Sequence, residues 1–339
     1  MLQDPVPLVL SRYPLRVQPI SLVRRLGNAG GSSGASLWHY RAADGEMALR
    51  AWPGHGPSLA RLETIHGWLG ELAGLGLVPL PVPLPACDGR TVQHQDSLYW
   101  EVAPWLPGAP ALERPPAAAR VQSAFTALAS VHRRLSSHGQ RGASPGLRLG
   151  IRDLEKLAEG GLDLMVAALE RSQADAQAVL GQRWAFLARA TIPRLLPSLR
   201  DAARLKITLQ PCLRDVRPEH FLFEADRLSG LIDFGAMGIE SVAADLARLI
   251  GEWFPDDHSL RALALDAYQQ VRPLDASEAA LIAALEATAD LLIAGHWLSW
   301  HYLDHRHFDD ACAVERGVAR GLHRLERLAE RIRPSGLVV

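Results

Sequence analysis

The hydrophobic period of this chain changes once, and that change limits the folds open to it. Up to about residue 103, short runs alternate apolar and polar residues. Ser36–Arg41 and Glu46–Trp52 are two such runs, joined through Asp44-Gly45, a pair that favours the positive φ of a tight hairpin. Later, apolar residues recur every three to four positions: in AAARVQSAFTALASVHRRL, from Leu164 to about Arg200, in SVAADLARLIGEWF, and between about Leu260 and Arg331. LPGAP, Leu106–Pro110, separates the two regimes and is too rich in Pro and Gly to extend either. The expected fold class is therefore α+β and bilobal. A small β-rich lobe spans 1–103, a hinge spans 104–110, and a large, mainly helical lobe spans 111–339.

The β-rich part holds one helix, in SLARLETIHGWLGELAGLG, where Leu62, Ile65, Trp68, Leu69 and Leu72 share a face and Gly74 and Gly76 end the pattern. LVPLPVPLPACDG cannot continue it, because proline lacks the amide donor. With 339 residues, 48% of them hydrophobic, the chain can bury a sizeable core. Its 36 Lys plus Arg against 37 Asp plus Glu give a net charge of -1, so no global field recruits nucleic acid or anionic lipid. Cys87, Cys212 and Cys312 match neither a disulfide framework nor a zinc motif, which points to a reducing cytoplasm. MLQDPVPLVL lacks the basic end and unbroken apolar stretch of a signal peptide. DLLIAGHWLSWHYL is too short for a span and carries histidines, so a buried helix is expected there.

One β insertion interrupts the helical half: CLRDVRPEHFLFEADRLSGLIDFG, Cys212–Gly235. Asp215 stands before an Arg-Pro-Glu-His loop and Asp233 at the end of a strand. Either aspartate alone is a common turn residue. At the two ends of a hairpin, they are folded back toward one place. Strand alternation also puts Ala48, Arg50 and Trp52 on one face.

The order of these parts resembles the aminoglycoside phosphotransferase and choline kinase superfamily, with its protein-kinase-like fold, over nearly the whole chain. The sharpest matches are DVRPEHFLF, LIDFG and the AADLARL that follows. The resemblance implies an ATP-dependent transfer of the γ-phosphate to a hydroxyl of a small molecule, such as an aminoglycoside-, choline- or homoserine-like acceptor. It implies that Gly30, Gly31, Ser32, Ser33 and Gly34 cover the phosphates, where backbone amides need room. Ala48 would pack under the adenine and Arg50, in place of the family's lysine, would reach the α- and β-phosphates. Glu63 would hold Arg50, while Pro104 offers a carbonyl and Leu106 an amide to the adenine edge. Asp215 would orient the acceptor hydroxyl or act as base, Arg217 would hold the γ-phosphate, and Asp233 would bind Mg²⁺. Asp245 would tie its helix back to the catalytic loop. Gly30–Gly34 read alone is also a flexible surface loop, Glu63 a surface glutamate and the hinge a mere linker.

The departures leave alternatives open. Leu213 and His220 replace the family's histidine and metal-binding asparagine. Magnesium prefers oxygen, so His220 would ligate Mn²⁺, hydrogen-bond Asp215, or leave a single metal on Asp233. A pseudokinase acting as a nucleotide-binding scaffold for a protein partner is the second reading. A metal phosphohydrolase on Asp215, Asp233 and His220 is the third. The chain passes from Gly235 through AMGIES directly into a helix, which leaves no segment on which a protein substrate would dock. His301 and His305 have the spacing of a zinc pair without a third ligand. Trp297, Trp300 and Asp304 are candidates to hold a cationic or hydroxylated acceptor.

Overall fold

Gly45, at φ +122°, turns the chain between two strands whose register runs from Ser36↔Ala51 to Ala42↔Gly45. The computed structural model describes residues 4–27, 34–74, 76, 78–172, 175–306, 308, 310 and 312–332. In chain order the N-terminal region holds helix α1 (Pro5–Leu10), strands β1 (Arg24–Gly27), β2 (Ser36–Ala42) and β3 (Gly45–Trp52), and helix α2 (Leu59–Ala73). Strands β4 (Gln93–Gln95), β5 (Leu98–Pro104) and β6 (Ala109–Pro110) follow. The first five strands form an antiparallel sheet in the order β1-β2-β3-β5-β4.

Alternation decides what each face of this sheet does. Met47, Leu49 and Ala51 of β3, with Trp100 and Val102 of β5, join Val6, Val9 and Leu10 in one core. The intervening residues, Ala48, Arg50 and Trp52 on β3 and Glu101 and Ala103 on β5, line a cavity. On that side lies α2, capped by the Ser58 hydroxyl, which accepts from the Arg61 amide at 3.3 Å. It buries Leu62, Ile65, His66, Leu69 and Leu72.

The rest of the chain is mainly helical. It runs through α3 (Ala118–Leu135), β7 (Gln140–Gly142), α4 (Pro145–Lys156), α5 (Leu162–Glu170), α6 (Ala176–Ala202) and β8 (Ile207–Cys212). Then come β9 (Phe221–Glu224), β10 (Arg227–Leu231), β11 (Gly238–Glu240), α7 (Val242–Trp253), α8 (His258–Gln269), α9 (Ala276–Leu298) and α10 (Ala313–Arg331). The mixed α+β class, β-rich first and helical later, is the one the sequence predicts.

Two compact units result. One takes residues 1–139, 210–239 and 248–273, so the β9–β10 hairpin belongs with the N-terminal sheet. Here β6 pairs with β9 through Ala109↔Phe223, and the Ser229 hydroxyl donates to Pro107 C=O at 2.8 Å. The segment after β5 is thereby tied to the hairpin. Residues 140–209, 240–247 and 274–339 form the other unit, in which α9 packs against α4, α6 and α10. α10 approaches so closely that a Cβ at Gly321 would lie 2.5 Å from the Ala294 backbone nitrogen. Arg324 Nε meets Asp290 Oδ1 at 2.6 Å, with both side chains buried. By length and composition, residues 276–303 are apolar enough to cross a membrane. Their packing against three helices agrees with the buried helix expected there.

Candidate active site

Strand pairing explains how the two ends of the Cys212–Gly235 hairpin meet. β9 and β10 end their antiparallel register at Leu231↔Phe221. One step further, the Ile232 amide donates to His220 C=O at 2.9 Å. Asp233 follows with φ +65°, a left-handed angle that costs a side-chain-bearing residue about 1–2 kcal/mol. Its Oδ2 lies 3.5 Å from His220 Nε2. On the other side of the loop, Arg214 is also left-handed, at φ +66°, and delivers Asp215. Asp215 Oδ1 is 3.3 Å from Arg217 Nε and also pairs with Arg248 of α7. Strained residues held on both sides of such a cluster are a mark of function.

The electrostatics of this loop are uneven. Burial pushes the His220 imidazole down, against the pull of Asp233. Its Nδ1 is buried without a hydrogen-bond partner among the described residues. Burial acts on Arg217 in the same downward sense, but Asp215, with Glu252 and Glu219, outweighs it and raises the guanidinium. Arg248 keeps a buried Nε with no acceptor among the described residues.

Next to Asp233 opens a cavity of about 300 Å³. Ala48, Arg50, Pro104, Leu106 and Asp233 all line it, so five residues singled out from three separate stretches converge. The Trp105 amide donates to Glu46 C=O at 2.8 Å, whereas the Leu106 amide makes no hydrogen bond to a described residue. Trp52 forms part of the wall, and its ring leaves no room for a Cβ at Gly235, which would sit 2.5 Å away. Gly34 has φ +70° and so needs glycine. Gly30, Gly31, Ser32 and Ser33 lie outside the described residues.

Glu63 is a correction. It is exposed on α2, one position off the stripe of Leu62, Ile65, His66 and Leu69, and is not the carboxylate facing Arg50. That carboxylate is Glu101, directly across the strand ladder, with Oε1 3.7 Å from Arg50 Nη1. Its Oε2 accepts from His66 Nε2 at 2.8 Å. Burial alone would push Glu101 up, but the His66 hydrogen bond and the Arg50 charge hold it below the usual glutamate range.

The sequence profile of the phosphotransferase enzyme family matches residues 27–282, which include every element of this site. The chain belongs to that family. One of its relatives is a homoserine kinase from Sinorhizobium medicae, 31% identical over 219 residues, 62% of this chain and 60% of that one. This chain thus spans about 60% of the length of that curated relative. Among solved structures, an amicoumacin kinase in complex with AMP-PNP and Ca²⁺ matches with a TM-score of 0.65 at 16% identity, over 97% of this chain and 94% of that one. A microcompartment-associated aminopropanol kinase gives 0.63 at 18%, over 96% and 97%. These likenesses show that the fold is the one used by phosphotransferases of the family.

Within this member of the phosphotransferase family, Glu101, His66 and Arg248 went unmarked by any motif. Two carried a signal nonetheless. Glu101 is a charged residue in the middle of the apolar strand LYWEVAP, and His66 falls on the apolar stripe of its helix. Arg248 stands in AADLARL, where only Asp245 drew attention, and Asp245 is fully buried. The C-terminal aromatic residues serve packing: Trp297 stacks edge-on against Trp300 and fills the space above Gly317. Among the described residues, His301 and His305 gather no third metal ligand.

Proposed function

We propose that this chain is an ATP-dependent kinase that transfers the γ-phosphate to a hydroxyl of a small molecule. One observation carries the reading: Arg50 and Asp233 line one cavity, and the Asp233 carboxylate meets the His220 side of the loop that presents Asp215. Phosphoryl transfer asks mainly for positioning and charge neutralisation, and this cluster can supply both. Ala48 packs on the adenine, while Leu106 N–H and Pro104 C=O face its edge. Arg50 takes the phosphates, and Gly30, Gly31, Ser32, Ser33 and Gly34 are the residues proposed to cover them. Asp215 orients the acceptor hydroxyl, and Arg217 holds the transferred group.

Asp233 fits a hard divalent cation through oxygen, and His220 adds a nitrogen, which suits Mn²⁺ better than Mg²⁺. When bound, such an ion neutralises phosphate oxygens. The acceptor reading follows the charges. Arg217 and Arg248 pair with Asp215, and Glu219 and Glu252 also lie near Arg217, so the loop offers charges of both signs, which suits an acceptor that carries both. A homoserine-like hydroxy amino acid has that chemistry, in line with the name of the curated relative. The two-lobe division at 104–110 and a cytoplasmic location belong to the same reading; free Cys87 and Cys312 on the surface support the latter. Nothing in the relatives supports an inactive scaffold.

The test is ADP release by purified protein with ATP, Mg²⁺ or Mn²⁺, and a panel of homoserine, choline, amino alcohols and aminoglycosides. Acceptor-dependent release that Asp215→Ala abolishes supports the proposal. Release no greater than that of Asp215→Ala with every acceptor overturns it.

A further inference from the structure

We infer that Glu101 and His66 are positioning residues for Arg50, a clamp built from strand and helix that fixes the guanidinium on the phosphate side of the cavity. The inference rests on the nucleotide reading above and adds residues that no motif in the chain marks. β3 and β5 place Arg50 and Glu101 directly opposite each other, so both side chains leave the same face of the sheet with Cβ atoms roughly 5 Å apart. The carboxylate is divided between two partners, Oε1 toward Arg50 Nη1 at 3.7 Å and Oε2 toward His66 Nε2 at 2.8 Å. His66 Nδ1 in turn lies 2.7 Å from Thr91 Oγ1, which fixes the plane of the ring. Arg50 is held from a second side as well: its guanidinium lies over the Trp52 ring at 5.0 Å. The ring itself rests against Gly235.

Glu101 is only 8% exposed. A buried carboxylate is a poor way to stabilise a fold, since apolar residues of similar volume do as well or better. Removing one partner leaves a charge stranded. Orientation is what the arrangement provides. A long, rotamer-rich arginine loses its freedom against Glu101 and Trp52 before any ligand arrives, so that cost is not met at binding. His66 performs the same service for Glu101.

Affinity measurements with adenosine, ADP and ATP separate positioning from folding, because adenosine lacks the phosphates that Arg50 is proposed to hold. Glu101→Gln keeps the size of the side chain and removes the charge. It is expected to weaken ATP and ADP roughly tenfold, with adenosine within about twofold of wild type. His66→Leu moves ATP affinity the same way, and His66→Gln, which keeps a donor, recovers most of it. In steady state the KM for ATP rises and the KM for the acceptor does not. Equal losses of adenosine and ATP would mark Glu101 as merely structural and overturn the inference, as would unchanged ATP affinity in Glu101→Gln. A Glu63→Gln variant as impaired as Glu101→Gln also overturns it, since the helix carboxylate would then be the partner. Wild-type protein that binds adenosine but gains nothing from phosphates removes the assignment of Arg50 and its clamp together. Wild-type protein that binds no nucleotide removes the kinase reading itself.

Discussion

Arg50 and Asp215 are both charged groups of the proposed site, yet their surroundings differ. Around Arg50 most polar atoms find partners inside the protein: the side chain of Glu101 is 11% exposed, that of His66 5%, and each Glu101 oxygen faces a cation or a donor, while the buried Trp52 Nε1 has no hydrogen-bond partner among the described residues. Around Asp215 the chain is more open and less satisfied. The side chains of Asp215 and Asp233 are 35% and 45% exposed, His220 Nδ1 and Arg248 Nε are buried without hydrogen-bond partners among the described residues, and left-handed residues stand at both ends of the loop. The first arrangement is held mainly by contacts within the protein, which is how affinity is built into a rigid surface. Spare valence and local strain mark the second, as expected of a cluster that meets ions and phosphoryl groups from solvent in the proposed reaction.

This contrast can be broken experimentally, and the largest effect is expected at its open end. Asp233→Ala is expected to lower turnover by about a thousandfold or more while adenosine affinity stays near wild type, because charge neutralisation at the transferred group is lost and the adenine wall is not. Turnover within about tenfold of wild type, measured as ADP release, would mean that the carboxylate has no such role. At the closed end, Gly235→Ala drives a Cβ toward the Trp52 ring. Overpacking of this kind costs about 1–3 kcal/mol, read as a lower urea midpoint, and should weaken ATP as Arg50 loses its support. An unchanged midpoint would show that the wall yields. His220→Asn replaces nitrogen by an amide oxygen and should shift the ratio of Mg²⁺- to Mn²⁺-supported activity roughly tenfold toward Mg²⁺. A ratio that does not move would place the metal away from His220.

The smallest effect concerns acidity. Glu101 is held below the usual glutamate range, so its ionised form stabilises the folded state above that range, and the contribution is lost as pH falls through the ordinary value toward the depressed one. The Tm advantage of wild type over Glu101→Gln should therefore be full at about pH 7 and shrink below about pH 4.5. An advantage that grows on acidification would contradict the assigned partners.

The open end was legible in the sequence because its chemistry is written locally. Asp215, Arg217, His220 and Asp233 fall within one hairpin, and period-two apolar runs fix how that hairpin folds back. Ala48 and Arg50 could be placed on a common face for the same reason. The closed end was half legible. Glu63 was chosen because a helix glutamate is what the resemblance implies, but the stripe of Leu62, Ile65 and Leu69 turns His66 inward and Glu63 outward. Finding Glu101 needed the register between β3 and β5, strands separated by forty-odd residues, and no local pattern encodes a pairing at that range. Arg248 reaches Asp215 from a helix beyond the hairpin, and only the tertiary fold brings them together.

The ladder between β3 and β5 also bears on control. When the counter-charge of a catalytic cation rides on a mobile helix, swinging that helix away disarms the protein reversibly. Here the counter-charge is zipped to the next strand, so it cannot be withdrawn without unpairing Met47–Trp52 from Tyr99–Pro104. A kinase built as proposed would have no resting posture at that joint. Its output would follow the supply of its substrates, and any brake would have to act elsewhere.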